Sequence, residues 1–396
     1  MSVAGLDGVV VAETALSEVD GEAGRLVVRG QRIEELAGSV SFEEMARRLW
    51  EGLAPPASSG LEPAAGAPGA TSGLDTAAAV QAALGRARAA VFADAGPLLR
   101  AVAEMPPLPP LPPIVALRLG LASLRPGGGA DHVLAAAAIP VFVAAFDRAR
   151  RGLAAVPPDA ALGQAADFLR MLRGEPASGA EVSALDAYLV TVAEHGMNAS
   201  TFTARVVAST RAGVLPAVIA ALGALEGPLH GGAPGPVLDM LDALRGTDDV
   251  RRWLAAELDA GRRLMGFGHR IYRVRDPRAD VLKEQVARLR AAARGGTGDI
   301  AGRLALAEVV ERAALAALAD FRPQRRIETN VEFYTAVLLD ALGIDRSLFT
   351  PVFAAGRVAG WTAHVFEQER ANHLIRPQSR YVGPRPALAL PAAAPA

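Results

Sequence analysis

Residues 183–194 read SALDAYLVTVAE. Leu185, Tyr188, Leu189 and Val192 recur at i, i+3, i+4 and i+7, the spacing that gathers apolar side chains on one face of an α-helix. Ser183, with Asp186 three residues later, makes a capping-box-like start. The spacing therefore predicts a helix over 183–194. A second segment, Val331–Leu342, has Thr329 and Asn330 as candidate caps and Gly343 as its stop. Around these segments the chain is rich in alanine and poor in aromatic residues (5%), which favours helix over strand. Only the N-terminal stretch reads otherwise. Val9–Ala12 and Leu26–Arg29 flank a polar, Gly-containing segment, the pattern of two short strands. The expectation is a mostly helical protein.

At roughly 100–200 residues per domain, 396 residues make two domains the simplest division, and 51% hydrophobic residues allow a large core. Forty-one basic against 42 acidic residues leave a net charge of −1. That balance argues against a protein that holds nucleic acid by general phosphate attraction. Cysteine is absent, which excludes disulfides, thiol catalysis, iron–sulfur clusters and Cys-ligated zinc, and fits a reducing compartment. No secretory-signal pattern opens the chain. The longest apolar run, Val133–Phe146, falls short of the ~18 residues of a membrane span and contains Pro140. A soluble, cytoplasmic protein is expected. Pro55–Asp75, built of Ala, Pro, Gly and Ser, reads as a flexible insertion. Met105–Pro113 (MPPLPPLPP) reads as a polyproline II connector, or alternatively as a ligand for a partner domain. The tail after Tyr381 is expected to fray.

Of six histidines, three keep unusual company. His230 lies among glycines in GPLHGGAPG (227–235), where backbone and ligand can approach closely; a tight turn with a spectator His reads equally well. His269 lies in MGFGHRIYRVRDPR (265–278), followed by Arg270, Arg273, Arg275 and Arg278. A cationic loop with exposed backbone N–H groups suits a phosphate or carboxylate, the alternative being a solvated basic turn. The stretch lacks the third glycine of a dinucleotide fingerprint and the Gly-Lys-Ser/Thr of a P-loop. His195 follows the first helix, in EHGMNAS (194–200), a polar cluster that suggests a lined cavity. No His-x3-His pair or paired carboxylates accompany these histidines, so no metal site is expected. Glu332 falls in the first turn of the second helix. It is either a charge complementing the helix dipole or a carboxylate base held by a rigid helix end, and by itself the plain reading is favoured.

Seven segments together resemble the citrate synthase family: residues 5–30, EHGMNASTFTARV (194–206), GPLHGGAPGPV (227–237), GFGHRIYRVRDPRAD (266–280), ETNVEFYTAVLL (328–339), FAAGRVAGWTAHVFEQ (353–368) and IRPQSRYVGP (375–384). They stand in the family's order and span nearly the whole chain; about 54–130 matches weakly. The resemblance implies an all-α, two-domain fold working as a homodimer. The large domain would comprise 1–231 and 341–396, with the insertion at about 54–75, and a smaller mobile domain would comprise 232–340. The length resembles the shorter dimeric type rather than the hexameric type that NADH inhibits.

The resemblance also implies acetyl-CoA and oxaloacetate as substrates, with no further cofactor. His230 matches the histidine that bonds the thioester carbonyl, His269 the one that acts on the oxaloacetate carbonyl, and Glu332 the catalytic base. His195, Arg278, Arg357 and Arg376 match oxaloacetate ligands, Arg376 being expected from the partner subunit. Met265, Gly266, Phe267, Gly268 and Arg273 are expected against CoA. Two positions depart from the family. Glu332 stands where an aspartate is usual, one methylene further out, and Pro234 stands where asparagine is frequent. The rival readings are a 2-methylcitrate synthase using propionyl-CoA, a non-catalytic paralogue that binds CoA or oxaloacetate, and a helical scaffold recruiting partners through the proline run.

Overall fold

The computed structural model describes residues 4–6, 8–54, 73–104, 111–126, 129–231, 234–247, 249–269, 271–292 and 300–384. Most of the Pro55–Asp75 insertion, the core of the proline run and the tail beyond 384 lie outside the described residues. Three short strands come first: β1 (Ser17–Asp20), β2 (Arg25–Val28) and β3 (Gln31–Arg32) form an antiparallel sheet in that order, with Ser17 opposite Val28 and Asp20 opposite Arg25. Helices follow: α1 (Ile33–Leu36), α2 (Phe42–Trp50), α3 (Ala77–Asp94), α4 (Gly96–Glu104), α5 (Pro113–Ala122), α6 (Asp131–Arg150), α7 (Gln164–Arg173) and α8 (Gly179–Val192). The remainder are α9 (Ala199–Ala208), α10 (Val214–Leu225), α11 (Pro234–Leu244), α12 (Val250–Asp259), α13 (Pro277–Ala292), α14 (Ile300–Phe321), α15 (Val331–Ala341) and α16 (Phe349–Ala371). The all-α expectation holds.

Two sequence expectations need correction. The first helix begins a turn earlier than its apolar spacing suggested: Ser178, not Ser183, is the cap, and its box partner is Glu181. Asp186 instead accepts the Phe42 N–H from α2 at 2.7 Å, a tertiary contact that local spacing does not reveal. The first strand is Ser17–Asp20 rather than Val9–Ala12. Val10 is 85% exposed, and without a partner strand a β-prone run gains nothing from extension. The second expected helix stands at Val331–Ala341, capped by Asn330 and followed by Gly343 in the left-handed region.

The core is organised on α6 and α16. Helix α6 packs against α3, α5, α7 and α16, and runs unbroken through Pro140. Proline has no N–H to offer the Ala136 carbonyl, and Gln164 Nε2 donates to that oxygen at 2.7 Å. The same glutamine accepts from Arg88, which pairs with Asp167 at 2.8 Å in full burial. Helix α6 is long and apolar enough to cross a membrane by composition, but 83% of its apolar window is buried inside the protein. Helix α16 packs against α2, α6, α8, α9 and α10. It crosses α8 at two glycines: a Cβ on Gly356 would lie 2.8 Å from the Leu189 carbonyl oxygen, and one on Gly360 would overlap the Ala193 carbonyl. That close crossing brings Arg357 to the end of α8, where its Nε donates to the Val192 carbonyl.

Candidate active site

The site is built where three loops leave helix ends. The first follows α8. Glu194 is fully buried, and its Oε1 accepts from Ser17 Oγ (2.7 Å), Gly196 N (2.7 Å) and His364 Nε2 (3.1 Å). Burial raises its carboxyl, but the His364 ring, the Arg357 cation and the Ser17 hydroxyl together hold it below the ordinary range. Gly196 sits at φ +60°, a backbone turn that presents His195 to the interior. His195 is 6% exposed, and its Nε2 meets Tyr272 Oη at 3.2 Å.

The second loop carries His269. Gly266 (φ +86°) cannot bear a Cβ, which would come within 2.8 Å of Phe333. The loop is fastened to the segment before α15 by Gly268 N–H to the Glu328 carbonyl (2.8 Å), Asn330 N–H to the Gly266 carbonyl (3.0 Å) and Asn330 Nδ2 to the Gly268 carbonyl (2.7 Å). Beyond it the backbone folds back on the imidazole: the N–H groups of Ile271 (3.0 Å) and Tyr272 (3.1 Å) both donate to His269 Nδ1. An acceptor nitrogen carries no proton, so these donors assign the proton to Nε2. Nε2 lies 3.4 Å from the guanidinium of Arg278. Two donors facing one another do not bond; both serve an oxygen placed between them. Arg278 is held by Asp276 through Nε (3.0 Å) and a terminal nitrogen (2.8 Å), and Asp276 also accepts the Val331 N–H at 3.2 Å. One carboxylate thus ties the arginine to the start of α15.

The third loop carries His230. Its Nε2 accepts the Ser200 N–H at 3.3 Å and lies 2.8 Å from Ser200 Oγ. That hydroxyl is fixed by Trp361 Nε1 (3.0 Å) and Asn198 Oδ1 (2.8 Å). The proton of His230 is set by Ser200: it is on Nδ1 when the hydroxyl turns its hydrogen to Nε2, and on Nε2 when the hydroxyl gives it to Asn198.

The electrostatics follow from burial. Burial and then Arg278 push His269 down to about 4; burial and then Arg357 do the same to His230. His195 falls well below its usual value through burial, with Arg278, Arg357, His269 and His230 adding to the effect. All three imidazoles are therefore neutral at pH 7. Arg357 is 1% exposed, and burial pulls it to about 10, which leaves it charged. Its guanidinium lies 4.9 Å from the Phe353 ring centre, and among the described residues no carboxylate forms an ion pair with it. Glu332, whose N–H is capped by Asn330 at 3.0 Å, is pushed up by burial to about 7, with the Arg278 cation opposing.

The structure thus brings together His195, His230, His269, Arg278, Arg357 and Glu332. Met265, Gly266, Phe267 and Gly268 line the His269 loop, and Arg273 stands exposed at its far end. Arg376 is not in this cluster. It is exposed, beside Ile375, whose N–H bonds Ser209 Oγ at the end of α9. Sequence reasoning overlooked Tyr272, Asp276, Ser200 and Trp361. Each lies inside a quoted motif, but only the fold shows that Ser200 and Trp361 orient His230, or that Asp276 orients Arg278.

Buried cations, neutral imidazoles and a carboxylate of pKa about 7 on a helical frame suit acid–base chemistry on an anionic substrate. A family model described as citrate synthase, C-terminal domain, matches residues 5–378. The citrate synthase of Haloferax volcanii is 37% identical over 386 residues, covering 96% of this chain and 95% of that one. The 2-methylcitrate synthase of Mycobacterium tuberculosis (strain H37Rv) is 36% identical over 386 residues, covering 96% and 90%. The crystal structure of citrate synthase from Thermotoga maritima superposes with a TM-score of 0.77 at 31% identity, covering 99% of this chain and 98% of that one. The chain belongs to the citrate synthase family.

Proposed function

We propose that the protein condenses acetyl-CoA with oxaloacetate and water to give citrate and CoA. The observation that carries the proposal is a pair of buried, neutral imidazoles, His230 and His269, gathered with a carboxylate of pKa about 7. Glu332 takes a proton from the acetyl methyl, a carbon acid that an ordinary carboxylate of pKa ~4 ionises poorly. His230 donates to the thioester oxygen as enolate charge develops there, a contact typically worth ~3–4 kcal/mol. The enolate carbon attacks the oxaloacetate ketone, whose oxygen takes the His269 proton; Arg278 stands beside that proton. Arg357, Arg278, His195 and the partner subunit's Arg376 hold the dianion. Hydrolysis of the citryl thioester releases CoA.

In this proposal Met265–Gly268 and Arg273 face CoA, and residues 232–340 form a smaller lobe that closes over the substrates and excludes water. The protein works as a cytoplasmic homodimer, with acetyl-CoA as substrate and no additional cofactor. Family membership favours an enzyme over a ligand-binding paralogue, and the relatives include synthases of both citrate and 2-methylcitrate. The test is thiol release from acetyl-CoA by purified protein, with and without oxaloacetate. Oxaloacetate-dependent release is the expected result. Release only with propionyl-CoA would move the protein to 2-methylcitrate synthesis, and no release with either would refute condensation.

A further inference from the structure

We infer that strand β1 and the turn after it are a positioning element for catalysis: one strand touches the loops of both His195 and His269 and fixes how the two rings face each other. The catalytic consequence rests on the condensation proposed above.

At its start, Ser17 Oγ donates to Glu194 Oε1 (2.7 Å) and accepts the Gly196 N–H (3.1 Å), so it grips the chain on both sides of His195. Two residues on, Val19 Cγ2 lies 3.2 Å from where a Gly196 Cβ would stand. At its far end, the Gly21 carbonyl accepts the Arg273 N–H at 2.9 Å. Gly21 lies flat against Ile271: a Cβ there would overlap the Ile271 carbonyl and sit 2.9 Å from Ile271 Cγ2. Gly24, closing the turn, meets Val274 in the same way at 2.6 Å. The strand is itself held, paired with β2, whose Leu26 and Val28 are buried; Arg29 Nε just beyond donates to the Arg48 carbonyl at 2.8 Å.

Ile271 and Tyr272 are the residues whose N–H groups set the His269 proton, and Tyr272 Oη meets His195. The rings of His195 and His269 stand 5.8 Å apart, centre to centre. Displacing Ile271 therefore moves the donors behind one imidazole and the hydroxyl beside the other. A shift of about 1 Å in reacting groups can cost about 10²-fold in rate. Ser17 and Gly21 act only through these loops.

The test is Gly21→Ala, with Gly223→Ala as control, since a Cβ at Gly223 meets nothing. The backbone at Gly21 is outside the left-handed region, so alanine acts there only through the Ile271 contact. Two quantities are read: kcat with acetyl-CoA and oxaloacetate, and amide hydrogen exchange of the ligand-free protein over 269–276. Gly21→Ala should lower kcat at least about tenfold and speed exchange over 269–276, while Gly223→Ala changes neither. Should Gly21→Ala fail to fold, Ser17→Ala should lower kcat and speed exchange over 194–198, with Ser17→Thr restoring both. Exchange unchanged in the folded variants, or kcat within about twofold of wild type, would overturn the positioning role. Exchange is read without substrate. A wild-type chain that makes no citrate would thus refute the condensation while the loop contact is still judged by exchange.

Discussion

Glu332→Gln separates what the carboxylate does for catalysis from what its burial costs the fold. In the folded protein its carboxyl is pushed from 4.5 to about 7, burial being the main cause and the Arg278 cation opposing it. At 1.36 kcal/mol per unit this disfavours the ionised form by about 3 kcal/mol, an upper figure because Glu332 is only partly covered. The folded state holds the proton more tightly than the unfolded chain. The stabilising contribution is therefore fully present below pH 4.5 and is lost as pH rises through about 7. Glutamine has nearly the same shape and no proton to lose. Urea unfolding from pH 4.5 to 8.5, at fixed salt and protein concentration, should find the variant close to wild type at the acid end. At the alkaline end it should be more stable by up to about 3 kcal/mol. Asp186, also pushed up to about 7 by burial, titrates in both proteins and cancels in the difference. The same substitution should slow proton exchange at the acetyl methyl at least ~10²-fold. A stability difference that stays flat with pH would refute the account of Glu332.

Four other outcomes are expected. Glu332→Asp should lower citrate formation if the pocket has adapted to the longer side chain; a gain of about tenfold would mark a degraded site. Mixing inactive Arg376→Ala and His269→Ala subunits should restore activity in hybrid dimers, and continued inactivity despite subunit exchange would refute a shared site. His132 is buried with both ring nitrogens unpartnered, edge-on to Trp50 (4.7 Å) and Phe366 (5.1 Å), and burial holds it at about 4. Its folded value is depressed, so its contribution is present above pH 6.5 and lost towards pH 4; His132→Phe should remove that acid sensitivity in thermal melts. Arg88→Ala takes one of two arginine partners from buried Asp167, which keeps Arg170 at 2.7 Å, and should cost about 1–3 kcal/mol in denaturant unfolding.

Helical character was legible because Leu185, Tyr188, Leu189 and Val192 repeat with the helical period, and all four are buried. Helix starts were less so. Ser183 and Ser178 each precede an acidic residue by three, and only the tertiary engagement of Asp186 with α2 distinguishes them. Strands failed for a similar reason: Val9–Val11 is more β-prone than Ser17–Asp20, but a strand exists only where a partner does. In the site, charged and imidazole residues stood out against a background of alanine. The groups that orient them did not. Ser200 and Trp361 are 161 residues apart in the chain and meet at 3.0 Å, and no local pattern encodes that contact. Glycines carried more information than their neighbours: Gly21, Gly266 and Gly360 each mark a place where another segment lies too near for a methyl group.

Helix α6 sets an order of events during synthesis. It would partition into oil by composition, and its covers are spread along the chain: α3 and α5 precede it, α7 follows closely, and α16 comes last of the described helices. A nascent chain can shield three flanks of α6 soon after it emerges. The flank destined for α16 stays bare until that helix has been made. Through that interval the partly made protein presents a greasy stripe to its surroundings, and truncation before α16 yields a polypeptide prone to aggregation and recognisable to chaperones.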